Sequence, residues 1–480
     1  MKTQLDNHGN LLDDVVDLTK PAIIEVDDVG RHQIYNQGEM VNLINAVASG
    51  LNNLGIGPGD RVGIVSVNSA KFICTYYGIL KTGAVAVLIN VSATPSQLEH
   101  IILDSKLKFI FTDQDLNTEL PTIHFQSTFD NFLIHKLFCS YQPTKSDIAL
   151  ILYTSGSTGL PKGVPITHFA RNLKIKSSKF DNHSMVCISA TPCHSNAGLY
   201  TVEQCLFSKI PLVLLQKFKA DVFLKAIHDH NVTSVVTLPT MINLINKEIN
   251  LCVNSDLSRV ADVTLSAEPV TQSIGDTVKK IFPNAKLHVG YGSTEGGSAM
   301  FGRHPSLPVP ELSVGYPLPE ILYRIVDGIL QVKSPYMMKQ YTLESGVFTE
   351  DGYYITNDLF EIDENGFYYC QGRADEIFKS GGNKISPAEI EQILLGHADV
   401  NQVSIVAVAD DIKGLKPYAF AVIEKDSKVT EQELLKYCSQ HLTPYQIPRR
   451  IWLVESIPVN SAGKIDRARL KIQAQQLVQV

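Results

Sequence analysis

Apolar positions along this chain follow two alternating rhythms. Between residues 40 and 54 they recur at helical spacing, and Gly55-Ile56-Gly57-Pro58-Gly59-Asp60 then breaks the helix. Residues 61–67 read as a strand, 70–81 as a helix, 84–90 as a buried strand, 97–105 as a helix and 109–112 as a strand. Residues 148–153 give a further apolar strand. Strand–helix alternation over residues 18–150 predicts a largely parallel sheet with helices on both faces, whose ligands lie beyond the strand C-termini.

The same rhythm continues as strand 185–190, helix 197–209, strand 212–215, helix 221–230 and strands 232–238 and 263–265, a second α/β unit. From residue 287 the texture changes. Short strands at 322–326, 329–332, 353–356, 360–362 and 367–369 are joined by Asp327-Gly328 and Glu364-Asn365-Gly366, which are hairpin turns. These predict a small antiparallel barrel or sheet. A helix at 387–395 with proline in its first turn, strands at 403–409 and 418–423 and a helix at 431–440 make a terminal α+β unit. The fold class is α/β, with one domain over 1–373 and a second over 374–480.

At 480 residues the chain exceeds one ordinary core, in keeping with two domains. A formal charge of −7 with no basic run gives no footing for nucleic acid. Apolar runs such as 83–91 are too short to span a bilayer. Residues 1–17 are polar and acidic and do not read as a secretory signal. Eight cysteines, scattered without a Cys-x-x-Cys pair, point to reduced thiols in a cytoplasmic setting.

Candidate chemistry centres on Thr154-Ser155-Gly156-Ser157-Thr158-Gly159-Leu160-Pro161-Lys162-Gly163, directly after the 148–153 strand. Glycines let several N–H groups converge on an anion, four hydroxyls add donors, and Lys162 adds a charge. This suits a polyphosphate. It is not a Walker A loop, because Pro161 precedes the lysine and Gly163 follows it, and the glycine spacing is not that of a dinucleotide fingerprint.

This stretch resembles the phosphate-binding motif of the adenylate-forming enzymes, the superfamily of acyl- and aryl-CoA synthetases, nonribosomal peptide synthetase adenylation domains and beetle luciferases. Further motifs follow in the family's order from about residue 40 to 470. In His288-Val289-Gly290-Tyr291-Gly292-Ser293-Thr294-Glu295 the resemblance implies that Tyr291 stacks on adenine and Glu295 reaches magnesium. A flat ring with a polar tip and a hard carboxylate suit those roles. Ser266-Ala267-Glu268-Pro269 resembles the segment on the other adenine face, placing Ala267 and Glu268 there. Tyr354-Ile355-Thr356-Asn357-Asp358 resembles the Thr-Gly-Asp motif whose aspartate holds the ribose hydroxyls, with Asn357 in place of glycine. Gly372-Arg373-Ala374-Asp375 resembles the hinge motif. It implies Arg373 on ribose or phosphate, Asp375 as the hinge, and Gly381 and Gly382 beside the pantetheine arm of the thiol acceptor. Asn460-Ser461-Ala462-Gly463-Lys464-Ile465-Asp466-Arg467 resembles the C-terminal lysine motif.

The implied catalytic set is therefore Lys464, Thr154 and Glu295, with Glu295 and Thr154 on the metal. Thr154, Ser155, Gly156, Ser157, Thr158, Gly159, Lys162, Gly292, Ser293 and Thr294 border the nucleotide. His194 or Ser195 gates the acyl pocket, whose walls come from 193–200, 238–244 and 288–292. These walls hold no unpaired Arg or Asp that would demand an amino acid or a diacid. The implied fold is a large N-terminal domain of stacked α/β subdomains plus a small β-barrel-like one, followed by a small mobile C-terminal domain. The implied reaction activates a small-molecule carboxylic acid with ATP and Mg²⁺, releases pyrophosphate, and passes the acyl group to coenzyme A, with Lys379, Lys384 and Arg449 near its phosphates. A carrier-protein phosphopantetheine is the alternative acceptor. A non-catalytic nucleotide-binding relative is the remaining alternative, opposed by intact Lys162, Glu295, Asp358, Arg373 and Lys464.

Overall fold

The computed structural model describes residues 6–14, 17–155, 160–177, 185–248, 256–342, 347–380, 383–410, 414–424, 427–459 and 465–478. The first α/β stretch forms a six-stranded sheet in the order Thr122–His124, Phe109–Thr112, Arg61–Val65, Val85–Ile89, Ile148–Ser155, Pro161–Thr167. All neighbours are parallel except the last pair. The second forms a seven-stranded sheet, Lys286–Gly290, Asp262–Ser266, Ser234–Thr237, Cys187–Ser189, Leu212–Leu215, Pro21–Val26, His32–Asn36. It too is parallel up to a final antiparallel pair.

Helix Ala70–Lys81 shows why the two sheets stack. Nearly every residue of it is buried, and a helix apolar on all sides must lie between two layers. Phe72, Ile73, Tyr76 and Leu80 share one core with Val62, Ile64 and Ala86 of the first sheet and Ile23, Leu212 and Leu214 of the second. Helix starts follow local chemistry. Asn36 and Glu39 form a reciprocal capping box on Gln37–Asn53, and Thr94 and Gln97 form another on Pro95–Ser105, where Pro95 sits in the first turn.

Four strands, Leu322–Val326, Ile329–Lys333, Tyr354–Ile362 and Tyr368–Arg373, pair in that order as an antiparallel sheet. Two short ribbons join Gly292–Ser293 to Ser298–Ala299 and Phe301–Gly302 to Tyr316–Pro317. The C-terminal sheet runs Asn383–Ile385, Phe378–Ser380, Gly414–Ile423, Val400–Asp410, with Ile451–Leu453 on the free side of Gly414–Ile423. Helices Pro387–Leu395 and Glu431–His441 bury Ile390, Leu394, Leu434 and Cys438 against one face. Helix Arg467–Val478 buries Leu470 and Ala474 against the other. This smaller unit thus owns both of its cores. Among the described residues no helix is long and apolar enough to cross a membrane.

Two expectations are corrected. The strand expected to end at residue 153 runs to Ser155, and the chain returns antiparallel along Pro161–Thr167, pairing Thr154 with Lys162. The phosphate motif therefore spans a hairpin, and the sheet is mixed. The strands expected at 353–356 and 360–362 are one, Tyr354–Ile362. Asn357 takes a left-handed φ of 60° inside it, so the strand kinks at the polar step without ending. The helices His168–Lys176, Pro239–Glu248, Gln272–Ile281 and Arg467–Val478 and the strands Pro21–Val26 and His32–Asn36 were not predicted. Arg467–Val478 buries only Leu470 and Ala474, so its apolar period is faint.

Candidate active site

Thr154 stands at the C-terminal end of its strand, where a parallel sheet presents ligands. Its hydroxyl donates to Glu295 Oε1 across 3.4 Å, and the Tyr341 hydroxyl donates to the same oxygen at 3.1 Å. The Lys162 ammonium lies 5.6 Å from the Tyr341 ring centroid. Glu295 is itself fixed by its carbonyl, which accepts from the Met338 N–H at 2.9 Å. Thr154, Lys162 and Glu295 are thus brought together around Tyr341. Helix Pro95–Ser105 supports this corner from below. Asp104 accepts from the hydroxyls of Tyr153 and, at 2.6 Å, Thr342, and the Thr342 N–H donates to the Gly163 carbonyl at 3.0 Å.

The second group lies on the antiparallel sheet, where Asp358 and Arg373 are register partners. The Tyr291 hydroxyl donates to Asp358 Oδ2 at 2.5 Å, and Arg373 Nη1 donates to Oδ1 at 3.3 Å. The Arg373 guanidinium also grips Asp375 with two bonds, 2.9 and 2.6 Å long. Tyr291 is edge-on to Phe360, centroids 4.8 Å apart. Burial holds the Asp358 carboxyl above its ordinary range, against the opposing pull of Tyr291 and Arg373. Burial and the carboxylates of Glu295 and Asp358 raise the Tyr354 phenol. Tyr354 therefore lies within the fields of both groups.

The short ribbon between these groups explains Gly292. A Cβ there would come within 2.2 Å of the Ser298 carbonyl oxygen, so only glycine lets the two strands approach. Ser293 Oγ accepts from the Gly296 N–H at 2.9 Å, and the Thr294 carbonyl receives the Gly297 N–H at 3.4 Å. At the segment expected to gate the acyl pocket, Ser195 caps helix Asn196–Ser208 through the Gly198 N–H and donates to the Pro192 carbonyl. His194 is half-buried, its Nε2 shielded from solvent with no hydrogen-bond partner among the described residues, and desolvation lowers its pKa to about 4. A neutral imidazole at neutral pH follows. Asn196 Nδ2 reaches the Ser293 carbonyl at 3.5 Å and links this segment to the ribbon.

Glu268 accepts from the Thr240 N–H and hydroxyl at the start of helix Pro239–Glu248. Its neighbour Ala267 has a φ of 68°, a left-handed conformation unusual for alanine and typical of functional sites. Asp375 sits in the short 3-10 turn Ala374–Glu376. Gly156, Ser157, Thr158, Gly159, Gly381, Gly382 and Lys464, and the side chain of Ser155, lie outside the described residues. Downstream of Lys464, Arg467 grips Glu391 with bonds of 2.6 and 2.9 Å and the Ile405 carbonyl at 3.1 Å. The returning end of the lysine-bearing segment is thereby tied to the C-terminal sheet. Sequence reasoning missed Tyr341, Asp104 and Tyr153, included Asn196 only as part of the expected pocket wall 193–200, and gave Tyr354 no role.

Residues 17–342 match the model of the AMP-binding enzyme family, and residues 389–464 that of the AMP-binding enzyme C-terminal domain. The chain belongs to this family, within the adenylate-forming superfamily of acyl- and aryl-CoA synthetases. It is 28% identical over 503 residues to 4-coumarate–CoA ligase 1 of Solanum tuberosum, covering 94% of this chain and 91% of that one. It is 28% identical to 2-succinylbenzoate–CoA ligase of Bacillus cereus (strain Q1), covering 89% and 91%. In fold it is similar to the anthranilate CoA ligase AuaEII in complex with anthranoyl-AMP, with a TM-score of 0.87 at 22% identity over 99% of both chains. The o-succinylbenzoate CoA synthetase of Bacillus subtilis in complex with its acyl-adenylate gives a TM-score of 0.80 at 25% identity, over 97% and 98%.

Proposed function

We propose that this chain activates a carboxylic acid as its acyl-adenylate at the site between Thr154, Glu295 and Asp358, then passes the acyl group to coenzyme A. The observation that supports this most is the convergence of Thr154, Lys162 and Glu295 on one side and Tyr291, Asp358 and Arg373 on the other. A carboxylate oxygen attacks the α-phosphorus of ATP, and the α–β bridging bond breaks with its electron pair on pyrophosphate. The thiolate of coenzyme A then attacks the acyl carbon and AMP leaves.

Each group has a task within this reading. Thr154, Lys162 and the N–H groups of the hairpin bind the β- and γ-phosphates. Asp358 accepts the ribose hydroxyls, and Arg373 orients it. Tyr291 supplies a flat face on which the base stacks. Glu295 and the Thr154 hydroxyl are hard oxygen donors, and one carboxylate with phosphate oxygens suits Mg²⁺. When bound, the ion neutralises phosphate charge. Lys464 adds a positive charge to the more negative transition state of the first step only. We place the domain boundary at the Ala374–Glu376 turn, with Asp375 as hinge, so that Lys464 and Gly381-Gly382 serve the two steps in turn.

Acid-dependent ATP–pyrophosphate exchange over aryl, fatty and amino acids tests the first step, beginning with the aromatic acids for which the named relatives are called. The expected result is exchange with one class. No exchange with any acid contradicts the reading. For the second step, coenzyme A is compared with free pantetheine and a holo-carrier protein at matched concentrations. Preferential loading of the carrier would replace coenzyme A as acceptor.

A further inference from the structure

A fully buried polar network lies beneath the acyl side of the site. Arg171, on helix His168–Lys176, is 2% exposed, and its Nε lies 2.6 Å from Glu203 Oε2, an ion pair between two buried groups. Glu203 Oε1 accepts from the Tyr76 hydroxyl at 2.9 Å and lies 2.9 Å from His8 Nε2. His8 Nδ1 is in turn 2.8 Å from Asn172 Oδ1. The other edge of the guanidinium faces the site. Arg171 Nη1 donates to Asn196 Oδ1 at 2.8 Å and to Ser298 Oγ at 3.0 Å.

Those two acceptors belong to different parts of the site. Asn196 opens the helix that follows His194 and Ser195. Ser298 is the register partner of Ser293 in the ribbon that follows Tyr291. One planar group thus donates to both the acyl-pocket segment and the adenylate ribbon, which also meet directly where Ser298 Oγ donates to Asn196 Oδ1 at 3.1 Å. Stability gives no reason for it, because desolvating two ions offsets most of their attraction and apolar residues of equal volume serve as well. A rigid fork with donors on two edges does what a lysine point charge cannot: it fixes two acceptors relative to a third anchor.

We propose that Arg171 is a positioning residue for the acyl substrate, setting the spacing of Asn196 and Ser298, with Glu203, Tyr76 and His8 holding its plane. The proposal rests on the carboxylate-activation reading. The test uses the full chain and acid-dependent pyrophosphate exchange with the acid that passes the screen. Arg171→Lys keeps the buried charge and loses the fork. It is expected to raise KM for the acid by about tenfold or more, with KM for ATP within about twofold of wild type. Lys81→Met is the structural control. Lys81 is equally buried, ties the same N-terminal segment through Asp13 and bonds Asn45 of helix Gln37–Asn53, and neither contact reaches the site. It should lower Tm and leave KM for the acid unchanged. An Arg171→Lys protein that loses Tm while both KM values stay at wild type, or in which both rise together, overturns the proposal. Should Arg171→Lys fail to fold, Asn196→Ala removes an acceptor and spares the buried pair. The same rise in KM for the acid is expected from it, and an unchanged KM overturns the proposal. Exchange by wild type with no effect of either variant removes only the positioning role. No exchange by wild type removes the functional reading as well.

Discussion

The two sides of the site are built in opposite ways. On the ribose side the polar groups satisfy one another: Tyr291, Asp358, Arg373 and Asp375 form a chain with contacts of 2.5, 3.3 and 2.6 Å. On the phosphate side the equivalent contact, Thr154 to Glu295, is 3.4 Å. The tight side lies on neighbouring antiparallel strands, which fix Asp358 opposite Arg373 through backbone pairing. The looser side brings a hairpin, a ribbon and Tyr341 together from three parts of the chain. Under the proposed function, the difference means that ribose recognition would be preorganised in the protein, whereas the phosphate corner would be completed by the cation and the phosphates themselves.

Substitutions can break or sharpen that contrast. The largest effect belongs to Lys464→Ala. Removing the charge that the proposed reading brings to the transition state of the first step is expected to slow adenylation by about 10²–10³-fold. Thioester formation from supplied acyl-adenylate should be nearly unchanged, and half-reaction assays separate the two. Equal loss in both steps would place Lys464 in general binding.

Glu295→Gln comes next. Replacing the carboxylate by an amide should raise the Mg²⁺ concentration needed for half-maximal exchange by about tenfold or more, because a hard cation prefers charged oxygen. Exchange measured across a Mg²⁺ series reads this out. An unaltered Mg²⁺ dependence would show that Glu295 is not a ligand.

Asp358→Asn should weaken nucleotide binding by about tenfold and stabilise the nucleotide-free protein. The sign follows from burial, which raises the Asp358 pKa above its unfolded value. Such a group contributes its full stability below the unfolded pKa and loses it as pH rises through the folded one. At neutral pH the ionised carboxylate is therefore a cost, which the amide removes. The Tm gain should shrink as pH falls into the ordinary carboxylate range. Melting curves over pH check it, and a lower Tm for the variant at neutral pH would refute it.

Ser195→Ala is the smallest. It removes a helix cap and should cost about 1 kcal/mol of stability, with exchange kinetics close to wild type. His194→Ala, which removes a neutral, half-buried ring, should change KM for the acid. The reverse pattern would exchange the roles of the two residues.

Much of this contrast was legible in the sequence. The two α/β units, the antiparallel segment and the C-terminal unit followed from apolar periods and turn residues. The Asp327-Gly328 turn adopts the two positive φ angles, 51° and 78°, that its composition implied. Asp358 and Arg373 were singled out because the stretches Tyr354-Ile355-Thr356-Asn357-Asp358 and Gly372-Arg373-Ala374-Asp375 resemble family motifs, since taken alone each also reads as an ordinary turn. Tyr341 and Asp104 were not. Asp104 sits near the end of an amphipathic helix, where a carboxylate normally faces water, and only the packing of residues 153 and 342 gives it partners. Arg171 and Glu203 were equally hidden, since charges inside two helices carry no sign that tertiary structure will bury both. The hairpin went unread because the Ser/Gly run masks a strand pairing that continues through Thr154 and resumes at Pro161.

The central claim is that one side is preorganised for ribose and the other is completed by metal and phosphate. Isothermal titration of AMP and of ATP, with and without Mg²⁺, against wild type, Asp358→Ala and Glu295→Ala tests it most directly. The account predicts that AMP binding is insensitive to Mg²⁺ and to Glu295→Ala and falls by about tenfold or more in Asp358→Ala, while ATP binding depends on both Mg²⁺ and Glu295. AMP affinity unchanged in Asp358→Ala, or weakened by Glu295→Ala as much as ATP affinity is, would contradict it.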